Sequence, residues 1–117
     1  MKNLFLVLLA CVSLIAYADT KSAYSVAEIT IIDKEGYQRD LWPKLQKLLN
    51  EAQAQVIVGG GKSEGLVGIP SMSDRITIIK FKNYLDAKNF YTSKNYQDLK
   101  PLADKYVKLK LYIVEGE

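Results

Sequence analysis

Four short stretches of β-branched and aromatic residues, separated in the order one, two, one by segments of helical period, constrain this chain more than any other feature. Tyr24 to Asp33 (Tyr-Ser-Val-Ala-Glu-Ile-Thr-Ile-Ile-Asp) is strand-like and runs into the turn cluster Asp33-Lys34-Glu35-Gly36. From Tyr37 to Ala54 the period changes, with Leu41, Leu45, Leu48 and Ala52 on one face and Lys44, Lys47 and Glu51 opposite, which predicts an amphipathic helix. Pro43 has no N–H to offer a continuous helix, so a kink or a fresh first turn is expected near Trp42. Gln55 to Val58 is a short second strand, and the glycine-rich connection from Gly59 to Ser73 shows no period. Arg75 to Phe81 is the third strand. Asn83 then caps a helix through Tyr91, Ser93 starts a turn, Tyr96 to Tyr106 forms a further helical piece reset by Pro101, and Lys108 to Val114 alternates as the fourth strand. The order β-α-β-β-α-β is that of the split βαβ, or ferredoxin-like, arrangement: an α+β domain with one four-stranded antiparallel sheet and its helices on one face.

The strands are apolar on both sides. Leu109, Leu111 and Ile113 oppose Tyr112 and Val114 in the fourth strand, and Ile76 and Ile78 oppose Ile79 and Phe81 in the third. Helices on one face leave the other in water, and an apolar sheet face of that size marks an interface. A homodimer with the two faces packed together is therefore expected; the competing cover is the 59–73 connection folded over the sheet.

The first eighteen residues read as an address. Lys2 is a charged start, Leu4 to Ala16 an apolar core too short for the roughly 20 residues of a spanning helix, and Ala16-Tyr17-Ala18 a small-x-small cleavage site. Residues 1–18 are thus expected to be a signal peptide and 19–117 a single exported domain, periplasmic or secreted, with no stable membrane span. The single cysteine, Cys11, lies inside this segment. A lipoprotein cut before it would leave about six apolar residues ahead of it, against the usual 7 to 15 or so. Cleavage after Ala18 leaves a domain without thiol or disulfide chemistry.

Charge excludes more than it identifies. Loss of Lys2 leaves 15 of the 16 basic residues against 13 acidic ones, a net of +2, and the basic residues are interspersed with acids, so no nucleic-acid partner is expected. The chain has no histidine, which removes the commonest general base and the commonest zinc and haem ligand; no metal or other cofactor is expected. Gly61-Lys62-Ser63 fails as a phosphate loop, since Val56 stands where the motif needs its first glycine and no helix follows the lysine.

The remaining candidates for proton transfer are carboxylates, tyrosines and lysines. Glu28 sits mid-strand among apolar residues and would titrate unusually if buried, or else pair with Arg75 or a strand lysine. Asp33 stands at a strand end, where it serves as an acid or, more simply, accepts backbone N–H groups at the helix start. Arg75 completes this catalytic set. Tyr37, Tyr91, Ser93 and Tyr96 are the candidate ligand-binding residues, with Tyr106 and Tyr112 as further aromatic candidates for a pocket wall and Trp42 assigned to the core. Ser93 has no visible base partner and suits a cap better than a nucleophile.

Ala23-Tyr24-Ser25-Val26-Ala27-Glu28-Ile29-Thr30-Ile31-Ile32-Asp33, Gly36-Tyr37, Asp74-Arg75 with its strand, Phe90-Tyr91-Thr92-Ser93, Tyr96-Gln97, Leu99-Lys100-Pro101-Leu102 and Val114-Glu115-Gly116 together resemble the DUF1330 family. The resemblance implies a dimeric α+β barrel of ferredoxin-like subunits and no established reaction. Charged positions usual in that family are replaced here by Ala52-Gln53-Ala54, Val58, Lys80 and Ala103. Two functions are carried forward: binding of a small apolar or aromatic molecule between helices and sheet, and, by fold analogy, a cofactor-independent oxygenase or isomerase using Glu28, Tyr91 and Arg75.

Overall fold

The structure, a computed structural model, describes residues 21–68 and 73–117. The signal segment, and Pro70 within the long connection, lie outside the described residues. Strands β1 (Ala23–Ile31), β2 (Gln55–Gly59), β3 (Arg75–Phe81) and β4 (Val107–Glu115) form one sheet in the order β2-β3-β1-β4, every neighbouring pair antiparallel. Helix α1 (Trp42–Glu51) follows β1; α2 (Tyr84–Thr92) and α3 (Lys94–Tyr106) lie between β3 and β4. This is the α+β, ferredoxin-like topology that the periodicity predicts.

Three helical segments begin where the sequence supplies a side-chain acceptor. Asp33 Oδ1 accepts from the Gly36 N–H at 3.0 Å, so the turn cluster after β1 is the first turn of a helical stretch. That stretch continues through a π-helical turn, Tyr37–Leu41, before α1 starts with Pro43 in its first turn. The irregularity expected near Trp42 is therefore a π turn just before it, and it rotates Tyr37 and Leu41 inward, both buried. Asn83 Oδ1 accepts from Asp86 N at 2.8 Å and Ser93 Oγ from Tyr96 N at 3.2 Å, starting α2 and α3.

Pro101 does not reset the chain. Helix α3 is continuous from Lys94 to Tyr106 with the proline inside it. One missing backbone hydrogen bond kinks a helix without ending it when neighbouring turns are held by packing, and here Leu102, Ala103 and Tyr106 lie against the sheet.

Two apolar clusters share the helix-covered face of the sheet. Ala23, Leu49, Ile79, Phe81, Ala87 and Phe90 form one; Ala27, Ile29, Tyr37, Leu41, Tyr106 and Val107 form the other. Gly36 lets the second close: at φ −62° it is ordinary helix, yet a Cβ there would overlap the Tyr106 ring. The Tyr106 hydroxyl in turn donates to Asp40 Oδ2 at 2.8 Å, tying α3 to the π turn.

On the uncovered face the strand register sets Val58, Ile78, Val26 and Tyr112 in one row across all four strands. The flanking rows are Ile76, Glu28, Lys110 and Lys80, Tyr24, Val114. The centre is apolar and the charges stand at its border. Leu66 and Val67 of the long connection are themselves 84% and 87% exposed, so the described part of that loop does not bury its apolar side chains on the sheet.

Candidate functional site

Between the helices and the sheet lies a partly open cavity of about 60 Å³. Ala27, Ile29, Thr77 and Ile79 line it from the two central strands, Leu109 and Leu111 from β4, Tyr37 and Leu41 from the π turn, and Trp42 and Leu45 from α1. Tyr91 at the end of α2 and Tyr96, Leu99 and Ala103 of α3 close the other side, with the exposed Lys100 and the half-exposed Leu109 also on the wall. Among the described residues, no carboxylate lines the cavity.

The walls are built from aromatic contacts. Tyr91 meets Phe90 edge-on at 4.9 Å and Tyr96 edge-on at 4.8 Å between centroids, and Tyr37 stacks on Trp42 at 6.4 Å. Arg75 lays its guanidinium over both members of the second pair, 5.8 Å from the Tyr37 ring and 5.6 Å from Trp42, in cation–π geometry.

The polar atoms on this face divide into two groups. The Tyr91 hydroxyl donates to Ser25 Oγ at 2.7 Å, and Ser25 is fully buried. Tyr37 Oη, Thr77 Oγ1 and Arg75 Nε are buried without a hydrogen-bond partner among the described residues. Arg75 and Thr77 are two apart on β3 and so share a face, and Tyr37 both touches Arg75 and lines the cavity with Thr77. Burial raises the pKa of Tyr37, with Arg75 opposing it; it pushes Tyr91 up to about 12 against the lowering effect of the Ser25 bond, and raises Tyr96 with help from Asp104. All three phenols therefore stay protonated near neutral pH, and Tyr91 uses its proton in the bond to Ser25.

Of the ligand-binding candidates, the structure brings together Tyr37, Tyr91 and Tyr96. Ser93 is not on the cavity wall: it caps α3 and donates to Phe90 O at 2.6 Å. Tyr106 is committed to Asp40, and Tyr112 is on the uncovered face, 49% exposed. The catalytic candidates are separated. Asp33 caps the helix start, Glu28 emerges on the uncovered face between Ile76 and Lys110, and Arg75 stands on the helix side. Glu28 and Arg75 cannot pair through the sheet. Thr77 is the cavity residue that the sequence reading passes over, although its alternation with Ile76 and Ile78 already places it on the Ile79 face.

The chain is thus an α+β domain of ferredoxin-like topology with a largely apolar cavity between sheet and helices. The family described as "Domain of unknown function (DUF1330)" matches residues 22–117, and the chain belongs to it. Among solved structures, a protein of unknown function from Rhodopseudomonas palustris is 12% identical over 84% of each chain with a TM-score of 0.62. Its methylated form is 10% identical over 83% of this chain and 82% of the other, with a TM-score of 0.61. At that identity the likeness is one of fold. A dimeric ferredoxin-like protein of unknown function from Bacteroides fragilis is 14% identical over 82% of this chain and 95% of the other, with a TM-score of 0.49. No curated protein matches the chain significantly.

Proposed function

We propose that this protein binds a small apolar or aromatic molecule in the cavity between helices and sheet, as an exported homodimer. The observation that carries the binding reading is the cavity itself: apolar side chains from both layers stand apart around it, where close packing would normally fill the space. At about 60 Å³ it is well below the roughly 300 to 1,000 Å³ of a drug-sized pocket, so it takes a small molecule or the end of a larger one.

Export rests on the leader-like sequence of residues 1–18. Dimerisation rests on the row Val58, Ile78, Val26 and Tyr112, with Val58 39% and Tyr112 49% exposed in a single chain. An apolar strip spanning a whole sheet is costly to leave in water, and a second copy presents the complementary strip by symmetry. Binding is favoured over oxygenase or isomerase chemistry because Glu28 and Arg75 lie on opposite sides of the sheet and no carboxylate among the described residues lines the cavity.

A thermal-shift screen across aromatic acids, quinones and lipids tests the reading. A ligand of the folded state must raise apparent stability, so a hit whose shift is weakened by Leu45→Phe, which fills the cavity, is the expected result. A screen in which nothing moves the transition counts against it.

A further inference from the structure

Arg75 is closely packed, yet its charge goes unanswered. Its guanidinium lies 5.8 Å from the Tyr37 ring and 5.6 Å from that of Trp42, and Gly60 closes on it from the end of β2: a Cβ there would stand 2.5 Å from Arg75 Cγ, Cζ and Nη1. Gly60 has a φ of +80°, a left-handed conformation that glycine adopts freely. Among the described residues Arg75 joins no ion pair, and its buried Nε has no hydrogen-bond partner. Nη1 and Nη2 are not among the buried unpartnered atoms and donate to no described residue, so they keep their access to solvent. An arginine drawn this far into a protein is ordinarily paired.

An open depression of about 440 Å³ adjoins Arg75. Lys34 and Gln38 stand on its wall as further donors, Ile31 and Ile32 as apolar surface, with Ile32 57% exposed. Asp74 is the one carboxylate on that wall among the described residues, and its Oδ2 already accepts from Ile31 N at 2.8 Å. We infer that this depression is a binding site for a small organic molecule bearing a single carboxylate, which accepts from Nη1 and Nη2 of Arg75 while its carbon part covers Ile31 and Ile32. The planar fork of a guanidinium matches a carboxylate oxygen for oxygen. Packing against Gly60 and the two rings sets that fork in place beforehand, which lowers the entropic cost of binding. Asp74 on the same wall repels a second negative charge, so a monoanion fits better than a dianion such as phosphate. Tyr37 is the one residue this wall shares with the apolar cavity, and the inference does not rest on a guest in that cavity.

The test compares cyclohexanecarboxylate, its neutral isostere cyclohexanecarboxamide, and inorganic phosphate at fixed ionic strength. Arg39 and Arg75 are the chain's two arginines, so the Nε–H region of a proton–nitrogen correlation spectrum holds two signals, and Arg39, paired with Asp40, is the internal control. Cyclohexanecarboxylate is expected to move the Arg75 signal saturably and leave that of Arg39 in place, with an affinity about tenfold above the carboxamide's, in keeping with a hydrogen bond to a charged group. Arg75→Lys keeps the charge but loses the fork; followed through the Gly60 amide signal, with circular dichroism unchanged, it should weaken binding by about tenfold. Equal affinity for carboxylate and carboxamide in the unaltered protein overturns the inference, as does tighter binding of phosphate or equal movement of both arginine signals. Undiminished binding by Arg75→Lys, or no response to any of the three probes, overturns it too. Each of these outcomes leaves the reading of the apolar cavity standing.

Discussion

The Tyr91 hydroxyl donates to Ser25 Oγ at 2.7 Å, joining the end of α2 to the central strand β1 across 66 positions of sequence. Ser25 has no exposed surface, so the bond lies in the low-dielectric interior between the two apolar clusters. It holds one wall of the cavity at a set distance from the sheet.

Removing one partner of that bond should cost more than removing both. Ser25→Ala strands a buried phenol and is expected to lower stability by about 1–3 kcal/mol; Tyr91→Phe leaves only a small hydroxyl and should cost about 1 kcal/mol. The double variant should fall short of the sum by about 1 kcal/mol, measured as a coupling energy in urea unfolding. Strict additivity would mean that the two hydroxyls do not meet in solution.

Gly36→Ala is expected to destabilise, against the usual trend. Alanine in place of glycine at a helical φ of −62° normally gains up to about 1 kcal/mol of helix propensity. Here the added methyl overlaps the Tyr106 ring, and forced overpacking costs typically 1–3 kcal/mol. A lower unfolding midpoint together with a broadened Tyr106 signal by NMR is the expected outcome.

Alkaline pH should loosen the fold through its buried phenols. The folded-state pKa of Tyr91, about 12, lies above the ordinary value of 10.0, so its neutral form is the one the fold favours. Its contribution is complete below pH 10 and declines as pH rises from there toward 12, by an amount on the order of 2–3 kcal/mol. Tyr37 and Tyr96 shift in the same direction. Chemical denaturation between pH 8 and pH 11.5 should show the decline, and Tyr91→Phe should make it shallower.

A charge in the middle of the uncovered sheet face should separate the proposed dimer. Val26 lies between Ile78 and Tyr112 in the register, so Val26→Glu places an unpaired carboxylate at the centre of the apolar row. Light scattering at micromolar concentration is expected to give a dimer for the unaltered chain and a monomer for Val26→Glu, with circular dichroism unchanged. A stable monomer before substitution refutes the interface.

How much could be read in advance differs between fold and site. The strand cores of β1 and β3, the amphipathic period of α1 and the caps Asn83 and Ser93 are local, and each appears where its residues place it. Pro101 misleads because its rule is also local, whereas the packing that carries α3 past it comes from distant strands. For the site, aromatic content points to Tyr37, Tyr91 and Tyr96, and all three line the cavity. Ser93 stands beside them in sequence but caps its own helix, and Thr77 is an ordinary strand threonine whose hydroxyl has no partner among the described residues.

Sequence alone determined the order of elements, the two-sided greasiness of the strands and the lack of imidazole chemistry, since these follow from periodicity and composition that neighbours in the chain supply. Only the tertiary structure decided that Glu28 and Arg75 leave the sheet in opposite directions, that Ser25 answers Tyr91, and that Tyr37 and Thr77 share a wall. Those relations join residues far apart along the chain. They come from strand register and helix docking, which pattern alone leaves open: a shift of one residue in pairing would turn every side chain of a strand to its other face.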